Sequence, residues 1–302
     1  MLDFRIYTFL EVCETLNFTK AAEQLHITQP AVSQHIRSLE EYYHTKLFGY
    51  EKKSLTLTAA GRLLMVQATA MKNDEQLLAE QMMALPGQHT PLYFGATMTI
   101  AGFALAPQLA RFLKAHPDTE MRMILGNTQD LMSKLRTGEI HFALLEGFFD
   151  AELFDAIPYR TEPFIAICNP RHRFAAPPHV IQDLLDEHIL IHEPGSGAHE
   201  ILKKSLETHN VEFKDFARVT EIGSMHTLVD LVKEDVGIAF LYRVAAEQQL
   251  ESGELVEIPL GDCQLSHDFS FVWNRGSTYA PLYRQICGEL QISPPLAPAV
   301  SR

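Results

Sequence analysis

Gln29, Ser33, Gln34 and Arg37 are spaced so that, on a helix, they share one polar face. Amide, hydroxyl and guanidinium groups are the ones that read base edges in a DNA major groove. Gln pairs bidentately with adenine, Arg with guanine, and Ser serves either. Thr28 precedes them where a hydroxyl caps a helix, and Pro30 falls in the first turn, where a missing N–H costs little. The small Ala31 at that helix start lets the backbone come close to a phosphate. Lys52 and Lys53 follow as a cationic pair suited to the phosphate backbone.

The flanking segments predict what holds this face in place. Ala31, Val32, Ile36 and Leu39 form an apolar stripe on the opposite side. Upstream, Phe4, Tyr7, Thr8, Leu10 and Val12 predict a first helix ending near Asn17, with Phe18 as a core plug. Thr19 is expected to cap a short helix from Lys20 to Leu25, whose Ala21 and Ala22 allow another helix to approach closely. Two helices around a tight turn at His26 and Ile27 make a helix-turn-helix, or else a small bundle with a polar face. Leu55 and Leu57 alternate with Ser54 and Thr56, which predicts a β-hairpin wing with Lys52 and Lys53 at its tip. Thr58 then caps a helix expected to reach Leu85, ahead of Pro86 and Gly87. Its stripe of Leu63, Leu64, Val66, Ala70, Leu77, Leu78 and Met82 is too long for one small neighbour, so it pairs with a second chain or lies on its own C-terminal domain.

The chain has 302 residues and a net charge of −13, against the basic footprint usual in nucleic-acid binders. The charge is uneven, however. Residues 1–62 carry seven basic and seven acidic side chains, whereas residues 88–302 carry 17 and 28. The N-terminal unit is thus neutral and can meet phosphate if its cations share one face. Cys13, Cys168, Cys263 and Cys287 are widely spaced, with no Cys/His metal pattern, and no apolar run reaches a membrane span's length. Together with an N-terminus unlike an export signal, this suggests a cytoplasmic protein.

Beyond residue 90 strands and helices alternate. Strands are expected at 92–96, 120–126, 140–147, 163–169, 188–193, 216–222, 236–242 and 265–274. Helices are expected at 100–117 (interrupted by Pro107), 128–139, 196–209, 224–235 and 279–290. This pattern predicts two α/β halves, with any small molecule at the carboxyl ends of the strands. The residues placed there are Thr97, Met98, Thr99, Asn127, Thr128, Phe148, Ser196 and Ser224, of which the hydroxyl and amide side chains are equally suited to plain helix capping. His141, His192, His199 and His226 lie in the same region and read as scattered polar residues rather than a metal or pH site. No nucleophile elbow, phosphate loop, zinc-protease or dinucleotide motif is present, so no catalytic residue, metal or cofactor is assigned. The competing reading, an α/β enzyme or ligand-binding protein with an accessory helical domain, leaves the N-terminal module unexplained.

The segment "FTKAAEQLHITQPAVSQHIRSLE", with Leu47-Phe48 and "LTLTAAG" at 55–61, closely resembles the winged helix-turn-helix of LysR-type transcriptional regulators. "TGEIHFALLEG" and "EIGSMHTLVDLVKEDVGIAFL" resemble the effector domain of the same family, which is like a periplasmic solute-binding fold. Tyr50 stands where the family often has arginine, and His141, Asp235 and Tyr242 where it tends to have Asp, Gly and Pro. The resemblance implies an all-α winged helix-turn-helix domain at 1–58, a linker and dimerisation helix at 59–87, and a two-subdomain α/β effector domain at 91–302. Within the latter, 91–162 with 266–302 would form one subdomain and 163–265 the other, with "LPGQHTP" at 85–91 as a hinge. It further implies homodimers and homotetramers on inverted-repeat promoter sites, an effector in the cleft and contact with RNA polymerase; the free N–H groups at the helix starts lining that cleft suit a small anionic effector.

Overall fold

The computed structural model describes residues 2–83, 91–263 and 265–291, so the expected hinge lies almost wholly outside the described residues. Helix α1 (Phe4–Thr15) is capped by Asp3, and its last turn ends at Leu16 in the left-handed region. Helix α2 (Phe18–Gln24) is capped by Asn17, not Thr19. The Asn17 side chain accepts from the Thr19 and Lys20 N–H groups, so the helix begins two residues earlier than expected. Asn is at least as good a cap as Thr, and here it reaches two free N–H groups at once. Helix α3 (Gln29–Tyr43) is capped by Thr28 as expected. Strands β1 (Phe48–Glu51) and β2 (Ser54–Leu57) form an antiparallel hairpin, and Lys52 and Lys53 take the positive φ values of its tight turn. Phe9, Val12, Ala21, Val32, Ile36 and Leu47 are buried in one core.

Helix α4 (Ala59–Met83) is tied to that core at its start. The Thr58 hydroxyl accepts from the Gly61 N–H, and a Cβ on Gly61 would lie 2.0 Å from the Leu47 carbonyl oxygen. Further along, α4 lies on its own C-terminal domain. Asn73 donates to the Leu135 carbonyl, and Asp74 accepts from the Ser277 hydroxyl and the Thr278 N–H. Ala70 and Leu77 are buried, while Leu63, Met71, Leu78 and Met82 remain exposed. The apolar stripe is therefore split between a face covered by the chain itself and a free one.

The C-terminal region runs β3 (Leu92–Thr97), a π-turn (Ile100–Ala104), α5 (Ala106–Ala115), β4 (Met121–Gly126), α6 (Thr128–Thr137), β5 (Phe142–Leu145) and β6 (Phe154–Cys168). It continues with β7 (His188–His192), α7 (Gly197–Thr208), β8 (Arg218–Ile222), α8 (Met225–Lys233), β9 (Ile238–Tyr242), α9 (Glu247–Ser252), β10 (Val256–Glu257), β11 (Leu265–Asn274) and α10 (Ala280–Gln291). One sheet holds them in the order β4-β3-β5-β11-β6-β9-β7-β8, with β10 beside β6. Parallel strands lie at each end. The antiparallel pair β6 and β11 crosses the middle, with Phe154 opposite Asn274 and Phe164 opposite Leu265.

In this region two expected elements take a different form, and α9 and β10 were not expected. The helix expected over 100–117 is a π-turn followed by α5, because Pro107 suits a new first turn and not a helix interior. Strand β6 begins at Phe154, not 163. Its first half, around Pro158, is mostly half-buried or exposed and holds few apolar residues in a row, so no apolar run marks it in the sequence. Phe94, Phe142 and Phe271 stack in the core, with centroids 5.4 and 4.6 Å apart. Among the described residues no helix is long and apolar enough to cross a membrane.

Candidate nucleic-acid interface and effector cleft

The buried face of α3 is Val32, Ile36 and Leu39, which turns Gln29, Gln34 and Arg37 to solvent. Ser33 is half-buried, and its hydroxyl accepts from the Gln29 side-chain amide at 2.8 Å. Thr28 and Pro30 are exposed and Ala31 half-buried at the helix start. The helix is held from behind. Thr8 pairs with the His35 ring at 2.9 Å, and Arg5 donates to the Ser38 hydroxyl at 2.7 Å. Arg37, Lys52 and Lys53 have no ion-pair partner among the described residues, so their charge is free for phosphate or base. Arg37 lies on the helix and the two lysines on the hairpin, two elements of one small domain.

The cleft residues behave differently. Thr97, Thr99, Thr128 and Ser196 are buried, Asn127 and Ser224 half-buried, and Met98 and Phe148 exposed. Thr99 donates to Glu146 Oε1 at 3.0 Å, and Thr128 donates to the Glu146 carbonyl at 2.8 Å. Asn127 caps α6, Ser196 caps α7 and Ser224 caps α8. Ser196 also donates to the Glu193 carbonyl. The N–H groups near Thr99 belong to the five-residue π-turn and not to a long helix.

Thr99 and Thr128 thus converge on Glu146, directly after β5. From the other half, Gly197 at the start of α7 closes on the same point. A Cβ there would lie 2.5 Å from the Glu146 carbonyl oxygen and 2.6 Å from its Cγ. Gly147, at φ +83°, leaves no room for a side chain against the Gly197 Cα either. Across the same seam the Lys204 ammonium sits 3.1 Å from the Phe148 ring centroid, and His226 stacks on Phe103 at 4.4 Å. Ser224 does not join the Glu146 cluster; its neighbourhood meets the first half through His226 and Phe103.

Glu146 is the residue the sequence reading missed. Its signal is a charged residue at the end of the fully buried run Phe142–Leu145, just before a glycine. Burial pushes its carboxyl up to about 8, with the Thr99 hydrogen bond pulling the other way, and Oε2 has no partner. Tyr242 is buried beside it. Desolvation, then the nearby Glu146 and Glu162, raise that hydroxyl's pKa. His192 and His199 are buried and lowered by desolvation, and burial takes His141 down to about 4. Among the described residues no three His, Cys, Asp or Glu side chains group as metal ligands. The four thiols are free, and burial raises the pKa of each.

Residues 5–62 match the bacterial regulatory helix-turn-helix family of LysR type, and residues 87–291 match the LysR substrate binding domain. The chain belongs to the LysR family of transcriptional regulators. CysL of Bacillus subtilis is 28% identical over 271 residues, covering 88% of each chain. CfxR of Cupriavidus necator is 31% identical over 255 residues, covering 83% of this chain and 78% of that one. The full-length LysR-type regulator LysG of Corynebacterium glutamicum, solved with bound effector Arg, shares the fold. Its TM-score is 0.61 at 18% identity, over 96% of this chain and 98% of that one. As a LysR-type regulator the chain pairs a helix-turn-helix DNA-binding domain with an effector-binding domain, and these relatives are regulators, not enzymes.

Proposed function

We propose that this LysR-type regulator acts in the cytoplasm as a dimer or tetramer on inverted-repeat promoter sites. Gln29, Ser33, Gln34 and Arg37 read bases, while Thr28, Pro30, Ala31, Lys52 and Lys53 hold the DNA backbone. The observation that carries this reading is the exposed polar face of α3, locked from behind by Arg5 and Thr8. The exposed stripe Leu63, Met71, Leu78 and Met82 is the face of α4 that pairs two chains, in keeping with a stripe about 100° wide. A two-fold dimer reads a two-fold DNA site. RNA polymerase is the further partner that promoter binding implies.

A small anionic effector binds between residues 91–162 with 266–302 and residues 163–265. It meets Thr97, Met98, Thr99, Asn127, Thr128, Phe148 and Ser196 around the Glu146 seam, and an effector larger than a simple ion also reaches Ser224, beside the contact of His226 with Phe103. Because it touches both halves, it favours one arrangement of them, and α4, bound to α6 through Asn73, carries that bias to the DNA-reading domain. The coupling is expected to be about 1–3 kcal/mol. The test is sedimentation with footprinting. Leu78→Glu with Met82→Glu should give monomers and erase the paired half-site protection, and an unchanged dimer refutes the pairing face. For the cleft, Thr99→Val and Ser196→Ala should each blunt the response to the effector found in a metabolite screen while sparing DNA affinity without it.

A further inference from the structure

Glu146 is 2% exposed, yet one of its carboxyl oxygens is idle. Oε1 accepts from Thr99 and the backbone carbonyl accepts from Thr128, which leaves Oε2 as the unsatisfied atom. The Tyr242 hydroxyl beside it is buried and unpartnered as well, and two idle polar groups at the point where the halves meet ask for a ligand. We propose that the effector is a compact oxyanion and that the Glu146 carboxyl O–H at Oε2 is its hydrogen-bond donor. This rests on the cleft reading above and adds the chemistry of its floor.

Burial without a cationic partner keeps the carboxyl neutral, and a neutral acid favours an anion over an amine. With Oε1 engaged as acceptor, the neutral acid carries its proton on Oε2 and presents a donor. The Gly197 and Ala198 N–H groups at the start of the twelve-residue α7 have no intrahelical partner, and they lie where Gly197 abuts Glu146. The start of α7 thus lies against Glu146, so an oxyanion placed between them would be shared by both halves. The close approach of Gly147 and Gly197 limits such a guest to a few heavy atoms unless the halves part.

The proton makes the assignment testable. The charged and titratable groups on the packed elements include Tyr242 of β9, Glu162 of β6, His199, Glu200, Lys203 and Lys204 of α7, and Asp130, Lys134 and Arg136 of α6. Tyr242 is raised well above the working range, so it stays neutral, and His199 is lowered by desolvation. Glu162 is paired with Arg160, and its pKa is raised mainly by desolvation. Asp130 is exposed and Glu200 half-buried. With Glu146 at about 8, an oxyanion that requires the acid form should bind about tenfold more weakly at pH 9 than at pH 7.

Calorimetry on the full-length protein with sulfate, acetate, citrate and inorganic phosphate at pH 7 and 9, against L-arginine as the amine probe, tests this. Sulfate and acetate do not titrate in this window, so their profiles report the protein, and the sulfate and acetate arms separate tetrahedral from planar oxyanions. The expected result is that an oxyanion binds, weakens about tenfold by pH 9, and takes up a proton near pH 8. Glu146→Gln should bind it with a flat profile, because an amide donates at any pH, while Glu162→Gln should keep the parent slope. Binding only of arginine, strengthening towards pH 9, overturns the proposal. So does a slope surviving in Glu146→Gln or lost in Glu162→Gln, or no binding of any oxyanion at millimolar concentration. If Glu146→Gln does not fold, a pH-independent parent profile is by itself the refutation. In each of these cases the cleft reading stands or falls separately, on Thr99→Val and Ser196→Ala with the screened effector.

Discussion

The face of α3 and the seam at Glu146 both gather polar side chains on helices or at their starts, yet they are in opposite states. On α3, Gln34, Arg37 and the wing lysines point to solvent with no ion pairs among the described residues. At the seam, Thr99, Thr128 and Ser196 are buried and already donate to protein carbonyl and carboxyl oxygens. A surface made to meet a large rigid partner keeps its donors free and its scaffold stiff. A site that must answer a small molecule has its groups bound to one another, so that a ligand competes with internal bonds and shifts a balance.

The two regions can be broken separately. The largest effect is expected from Gly61→Ala. The new Cβ would meet the Leu47 backbone oxygen, which cannot move like a flexible side chain, so the DNA-binding domain should lose roughly 3 kcal/mol. Its melting should fall while the α/β domain keeps its own transition; one unchanged transition would show that the hairpin shifts freely. Next, Arg37→Ala should cost about 1–3 kcal/mol of DNA affinity and relax a single base position, whereas Lys53→Ala should weaken all sequences alike and lower the salt slope by about 1. Binding-site selection on both variants checks this, and identical sequence profiles would collapse the division of roles.

The seam has its own signature. Glu146 has a raised pKa in the folded chain, so its native state binds more protons than the unfolded one between the ordinary carboxylate range and about pH 8. Its contribution to stability is therefore full below that ordinary range and declines as pH rises to about 8, by up to about 1.4 kcal/mol per pH unit. Denaturant unfolding across pH 5–9 should show that slope in the difference between the parent and Glu146→Gln, because His192, His199 and Glu162 titrate in both. The smallest effect is expected from Ser224→Ala, which removes the α8 cap for about 1 kcal/mol. It should leave the sulfate or acetate profile untouched, because Ser224 lies outside the Glu146 cluster; a changed profile would enlarge the site.

The residues of α3 were legible because a helix face is a local property. Thr28, Pro30 and the apolar stripe through Val32, Ile36 and Leu39 specify the helix, its start and its buried side within one short segment. The strands and helices of the α/β region were largely legible for the same reason. The first half of β6 was not, since only pairing with β11 makes a strand of its mixed residues. Nor did the stripe on α4 say which of its leucines its own domain would cover. Leu77 is buried and Leu78 exposed because Asn73 and Asp74 fasten one side of the helix to the end of α6 and to the loop after β11.

By itself the sequence determined the features set by spacing along one element: the DNA-reading face, the wing with its lysines, and the alternation that makes an α/β sheet. Only the tertiary structure decided which distant residues share a point. Glu146 reads in sequence as one more acidic residue in an acidic chain. Folding places it between Thr99, Thr128 and Gly197, where the loss of water turns an ordinary carboxylate into a neutral acid with one unpartnered oxygen.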